Sequence, residues 1–90
     1  GFPLRNALDY YNRGCLHAGR EEYPAAVKAF AKAFELDPHL AEALFNRALA
    51  QENAGDVKAA RQSWQEYLEK FGSNDDVDEV KQHVTELANA

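Results

Sequence analysis

The chain has 90 residues, 46% of them hydrophobic and 28% charged, which suits one compact core and excludes both wholesale disorder and a second independent core. Its 15 acidic residues outweigh 10 basic ones for a net charge of −5, a sign that opposes nucleic acid and anionic membrane surfaces as partners. A single cysteine, Cys15, excludes an intramolecular disulfide and a thiolate zinc site, and no apolar run approaches the roughly 20 residues of a membrane span.

The stretch Gly1-Phe2-Pro3-Leu4 has none of the regions of a signal peptide. The expectation is a cytoplasmic protein, or a piece of a larger one from which targeting sequence has been removed.

From about Leu4 to Ala18, the residues Leu4, Leu8, Tyr11, Cys15 and Ala18 recur at the spacing of one helix face. Gly19 is expected at the left-handed C′ position that ends this helix. The second helix is expected over Tyr23 to Leu36, with Pro24 in its first turn, where a missing N–H costs nothing. Its face is Tyr23, Ala26, Val27, Phe30, Ala33 and Phe34, and Asp37-Pro38 ends it, because the residue before proline resists the helical region.

A third helix is expected from about Leu40 to Asn53, closing at Gly55, and Asp56 then caps a fourth from Val57 to Phe71 with the stripe Val57, Ala60, Trp64, Tyr67, Leu68 and Phe71. Gly72 stops it. Ser73 or Asn74 begins a fifth, whose first turn carries Asp75, Asp76, Asp78 and Glu79 where the helix dipole favours negative charge. Val77, Val80, Val84 and Leu87 give this helix one apolar face, ending near Ala88. No segment alternates apolar and polar residues over a strand's length, so the chain reads as all-α.

The sequence also matches itself at a stride of roughly 34 residues, the period of a stacked helix–turn–helix array. Ala7 falls on Ala41, Asn12-Arg13 on Asn46-Arg47, Ala25-Ala26 on Ala59-Ala60, and Glu35 on Glu69. Between them, Tyr11 meets Phe45, Gly14 meets Ala48, Phe30 meets Trp64, Phe34 meets Leu68 and Pro38 meets Gly72. Small residues overlie small ones and bulky ones overlie bulky ones. Gly14, Ala26, Ala33, Ala48 and Ala60 lack bulk where paired helices must approach within about 8–10 Å, and Phe30 and Trp64 are expected to fill the gaps between hairpins.

At these residues the chain resembles the tetratricopeptide repeat family, through Tyr10-Tyr11-Asn12-Arg13-Gly14 with Ala26, Phe30, Ala33 and Pro38, and again through Leu44-Phe45-Asn46-Arg47-Ala48, Gly55-Asp56, Ala60, Trp64 and Tyr67. The resemblance implies an α-solenoid of two hairpins, at about residues 7–38 and 41–72, with a capping helix at about 75–88. It departs from the family pattern at Tyr67, where a small residue is usual, and at His17 and Gln51, where an aromatic is customary. The first departure suits a last repeat that packs on a cap. Two repeats fall below the three usually needed for stability, so the terminal helix, the Phe2/Leu4 end, dimerisation or further repeats must supply the rest.

Members of this family bind peptides or partner helices in a groove lined by the first helix of each hairpin. The resemblance therefore implies a floor of Leu8, Tyr11, Asn12, Cys15, Glu42, Phe45, Asn46, Leu49, Glu52 and Asn53, and a wall of Asp76, Glu79, His83 and Glu86. An apolar floor and an acidic wall suit a protein or peptide segment with apolar anchors and lysine or arginine flanks. The other reading is homotypic: the groove is filled by a parent chain or by a second copy. A specialised subclass captures the C-terminal carboxylates of heat-shock chaperones, and Asn46 matches one of its residues. Tyr11, Cys15, Asp76 and Val80 replace its remaining basic and amide groups, which argues against that activity.

Chemistry-bearing residues are sparse. His17, His39 and His83 lie on three segments with no partner at ligand spacing, so no metal is implied. Cys15 and His17 are two apart on one helix and face different ways, which excludes a nucleophile–base dyad. There is no phosphate loop or GxSxG, and Asn74-Asp75-Asp76 lacks the other ligands of a calcium loop, so no catalysis and no cofactor are expected.

Overall fold

The computed structural model describes the backbone of residues 3–72 and 77–89 and the side chains of residues 5–72 and 77–87. Over these residues the chain is five helices without a strand: α1 (Pro3–Gly19), α2 (Tyr23–Leu36), α3 (Ala41–Asn53), α4 (Val57–Phe71) and α5 (Val77–Asn89). Consecutive helices pack on one another, α1 on α2 through α4 on α5, as two hairpins followed by a C-terminal helix. The expected cap of the last helix at Ser73 or Asn74, with Asp75 and Asp76, lies outside the described residues.

The helix starts follow local chemistry. Pro24 occupies the first turn of α2. The carboxylate of Asp56 accepts the backbone N–H of Ala59 at 3.2 Å and caps α4. Gly55 sits at φ +86°, the left-handed conformation that closes α3.

The first turn corrects the expectation for Gly19, which remains inside α1. The left-handed residue is Glu21, at φ 61°. Glu21 stands one stride before Gly55, and the flanking bonds match: the Glu22 N–H reaches the His17 carbonyl as the Asp56 N–H reaches that of Gln51, both at 2.9 Å. The turn is thus set by its place in the repeat rather than by the nearest glycine. A left-handed non-glycine residue costs roughly 1–2 kcal/mol. The hydrogen bond between His17 Nδ1 and Glu22 Oε1, 3.1 Å, spans the same turn.

The core is built from small residues at the crossings and large rings between them. Ala7, Ala26, Ala33, Ala43, Ala48 and Ala60 are fully buried, and a Cβ added at Gly14 would stand 2.6 Å from the Phe30 ring. Phe30 and Trp64, each 2% exposed, fill equivalent places in α2 and α4. Truncating either ring costs about 3–5 kcal/mol. Trp64 belongs to a cluster with Phe34, Leu44, Tyr67 and Val80, while Phe30 packs with Ala26 and Ala50. Tyr67, bulky where the family is small, fits because Trp64, Phe45 and Phe71 surround it edge-on or tilted at 5.5–6.3 Å.

Along α1, Leu8 is 53% exposed and Cys15 is exposed, Tyr11 and Ala18 are half-buried against the core, and the buried positions are Ala7 and Gly14. The equivalent arginines also part ways. Arg47 ties α3 to α4, donating from Nε to Ser63 Oγ and from Nη2 to Glu66, both at 3.2 Å, while Ser63 donates to Gln51 at 2.6 Å. Arg13 lies over the Tyr10 ring at 5.1 Å.

Candidate functional site

Between α1, α3 and α5 lies a groove of two pockets that share Leu49. Its first pocket, about 290 Å³, lies between α1 and α3: Cys15 and Ala18 form one side, Asn46, Leu49 and Asn53 the other, and Phe30, Tyr23 and Ala50 the base. The second, about 250 Å³, lies between α3 and α5, with Phe45 and Leu49 facing Glu79, Val80 and His83 over Trp64. Leu49, 36% exposed, borders both.

Side chains along this face are held by polar bonds. Asn46 donates to the Tyr11 hydroxyl at 2.9 Å, joining α3 to α1 at the groove floor. Burial raises the Tyr11 pKa above its usual value, with Cys15 and the charge of Glu42 adding to the rise and the Asn46 bond opposing it. Tyr11 packs in turn against Phe30, at 5.7 Å between ring centroids. Further along, one oxygen of Glu52 accepts both the Trp64 indole N–H at 2.6 Å and His83 Nε2 at 2.7 Å. A carboxylate oxygen only accepts, so His83 carries a proton on Nε2. This three-residue link fastens α5 to α3 and α4 beside the second pocket. The rings of Trp64 and His83 meet edge-to-face at 5.4 Å, as do Phe45 and Trp64 at 4.8 Å.

The structure brings together most of the residues expected to line the groove, in different roles. Cys15, Asn46, Leu49 and Asn53 line the first pocket and Phe45, Leu49, Glu79 and His83 the second. Tyr11 and Glu52 brace them from behind by the bonds above. Leu8 and Glu42 are exposed beside the floor, outside either pocket lining. Asn12 is exposed and lines neither pocket, although its repeat-mate Asn46 does. Asp76 lies outside the described residues. The expectation passed over Ala18, Tyr23, Phe30, Ala50, Trp64 and Val80 as groove residues. Phe30, Ala50, Trp64 and Val80 are buried and Ala18 and Tyr23 half-buried, so each shows the groove only part of its surface.

Among the described residues, no three of His, Cys, Asp and Glu converge as a metal site. No lysine or arginine lines either pocket, and the carboxylate there is that of Glu79. None of the described helices is long and apolar enough to cross a membrane.

A family model for tetratricopeptide repeats matches residues 11–76. The Heat shock protein sti1 homolog of Schizosaccharomyces pombe is similar, 32% identical over 74 residues that make up 82% of this chain. The chain spans 12% of that relative's length. With the register of its residues, its paired helices and a family match over well more than half its length, the chain belongs to the tetratricopeptide repeat family.

Proposed function

We propose that the chain is a non-catalytic protein-interaction module whose groove along α1, α3 and α5 receives a peptide or helical segment of a partner protein. The units we assign are hairpins at about 7–38 and 41–72, closed by a helix at about 75–88. One observation carries the reading: two pockets of about 290 and 250 Å³ share Leu49, on a face where leucines stay exposed instead of entering the core. Glu42 and Glu79 are exposed along that face, so the fitting segment has apolar anchors and lysine or arginine flanks.

The test selects binding peptides from a display library and measures them against wild type, Leu49→Asp and Phe45→Asp. Leu49 is already partly exposed, so Leu49→Asp keeps the fold, and helicity by circular dichroism checks both variants. The reading expects a monomer at micromolar concentration and loss of peptide binding by at least about tenfold in both variants. Unchanged binding moves the interaction to another face. A wild-type dimer in sedimentation that Leu49→Asp dissociates favours a groove filled by a second copy.

A further inference from the structure

Within that proposed groove, the geometry points to a narrower assignment: the pocket between α3 and α5 is a subsite for one long cationic side chain, lysine or arginine, of the partner segment. This rests on the groove reading and adds what the groove selects. The pocket is apolar at its sides, with Phe45, Leu49 and Val80, and acidic at its mouth, with Glu79. Glu79 is exposed, and no lysine or arginine among the described residues pairs with it.

Glu52 stands behind the mouth. Its Oε2 already takes the Trp64 and His83 donors, and among the described residues its other oxygen has none. His83 is the one group in the lining able to carry positive charge, and it is engaged by Glu52. In either protonation state of His83 the mouth therefore keeps an uncompensated carboxylate. An apolar anchor seated here strips water from Glu79 and returns no hydrogen bond, and a neutral polar one returns a hydrogen bond without the opposite charge, so both are less favourable. A lysine or arginine instead lays its stem along the apolar sides and sets its head on Glu79.

The test titrates the isotope-labelled chain by NMR with Nα-acetyl-arginine and Nα-acetyl-lysine methylamides and their neutral counterparts, citrulline and norleucine. The indole N–H of Trp64, the one tryptophan, reports on the pocket directly. We expect the cationic probes to shift that signal and the amides of Glu79 to His83, with affinity at least about fivefold above the neutral probes at low salt. Glu79→Gln should erase that preference while the chain stays folded, with helicity by circular dichroism as the check and at most a small fall in melting temperature from the lost first-turn charge. Equal binding of the neutral probes, shifts confined to another face, or no response to the cations overturns the assignment. Failure here leaves the groove reading standing if library-selected peptides still lose affinity in Leu49→Asp, so the two failures are distinguishable.

Discussion

Gly14→Ala is the substitution whose effect the packing fixes most tightly. In an exposed helix interior the change stabilises by roughly 1 kcal/mol, because glycine gives up more backbone entropy than alanine. Here the new methyl would stand 2.6 Å from two carbons of the Phe30 ring and 2.9 Å from a third, well inside contact distance. The ring is 2% exposed and rests against Tyr11, so it cannot swing into solvent. Overpacking of this kind costs about 1–3 kcal/mol, which outweighs the propensity gain. The net expectation is a loss of about 1 kcal/mol, read as a fall in melting temperature of about 4–8 °C for a domain of this size. Gly19→Ala is the control, since no atom lies within 4 Å of its added methyl and it should be neutral or slightly stabilising. A double-mutant cycle with Phe30→Leu completes the test: without the ring, Gly14→Ala should regain the ordinary helix benefit. Displacing Phe30 also pushes on Tyr11 and so loosens the Asn46 bond at the groove floor. Equal stabilisation by Gly14→Ala and Gly19→Ala would refute the close crossing of α1 on α2.

Other expectations follow from single groups. Tyr11 has a raised folded-state pKa, caused first by burial, so the folded chain holds that proton more tightly than the unfolded one. Its contribution is present below the ordinary tyrosine value of about 10 and is lost as pH rises from there towards the folded value. Urea unfolding between pH 9 and 11, about the range of tyrosine ionisation, should show a steeper loss in wild type than in Tyr11→Phe. Arg47→Lys keeps the charge but loses the fork that reaches Ser63 and Glu66 together, and should cost about 1–2 kcal/mol in chemical denaturation. Asp56→Ala removes the α4 cap and should cost about 1 kcal/mol in the same assay, with Asp56→Ser recovering most of it.

How much was legible in the sequence depended on what each residue had to satisfy. Helices α2 and α4 were readable to their ends, because Pro24, Asp56 and the residues before Pro38 act on their own backbone. The first turn was not. Gly19 looked like its left-handed residue because glycine is the cheapest choice there, yet the repeat geometry places that conformation on Glu21, opposite Gly55. Comparing the two turns position by position would have found it. The face of α1 packed on α2 was harder to read for another reason: it is carried by Ala7 and Gly14, which hardly register as hydrophobic, while Leu8 and Cys15 stay exposed. For the candidate site, the family resemblance supplied Phe45, Asn46 and Leu49, whose repeat-mates Tyr11, Asn12 and Cys15 stand one stride earlier. The joint hold of Trp64 and His83 on Glu52 was not legible, because it depends on how α5 settles across two other helices.

The central claim is that a partner segment lies along α1, α3 and α5. Chemical-shift mapping of a complex with a library-selected peptide tests it most directly. The predicted result is a continuous band of perturbed signals through Tyr11, Asn46, Leu49, the Trp64 indole and His83. Perturbation centred on Lys58, Arg61, Gln62 and Gln65, which line a separate depression on α4, with the groove signals unmoved, would contradict it.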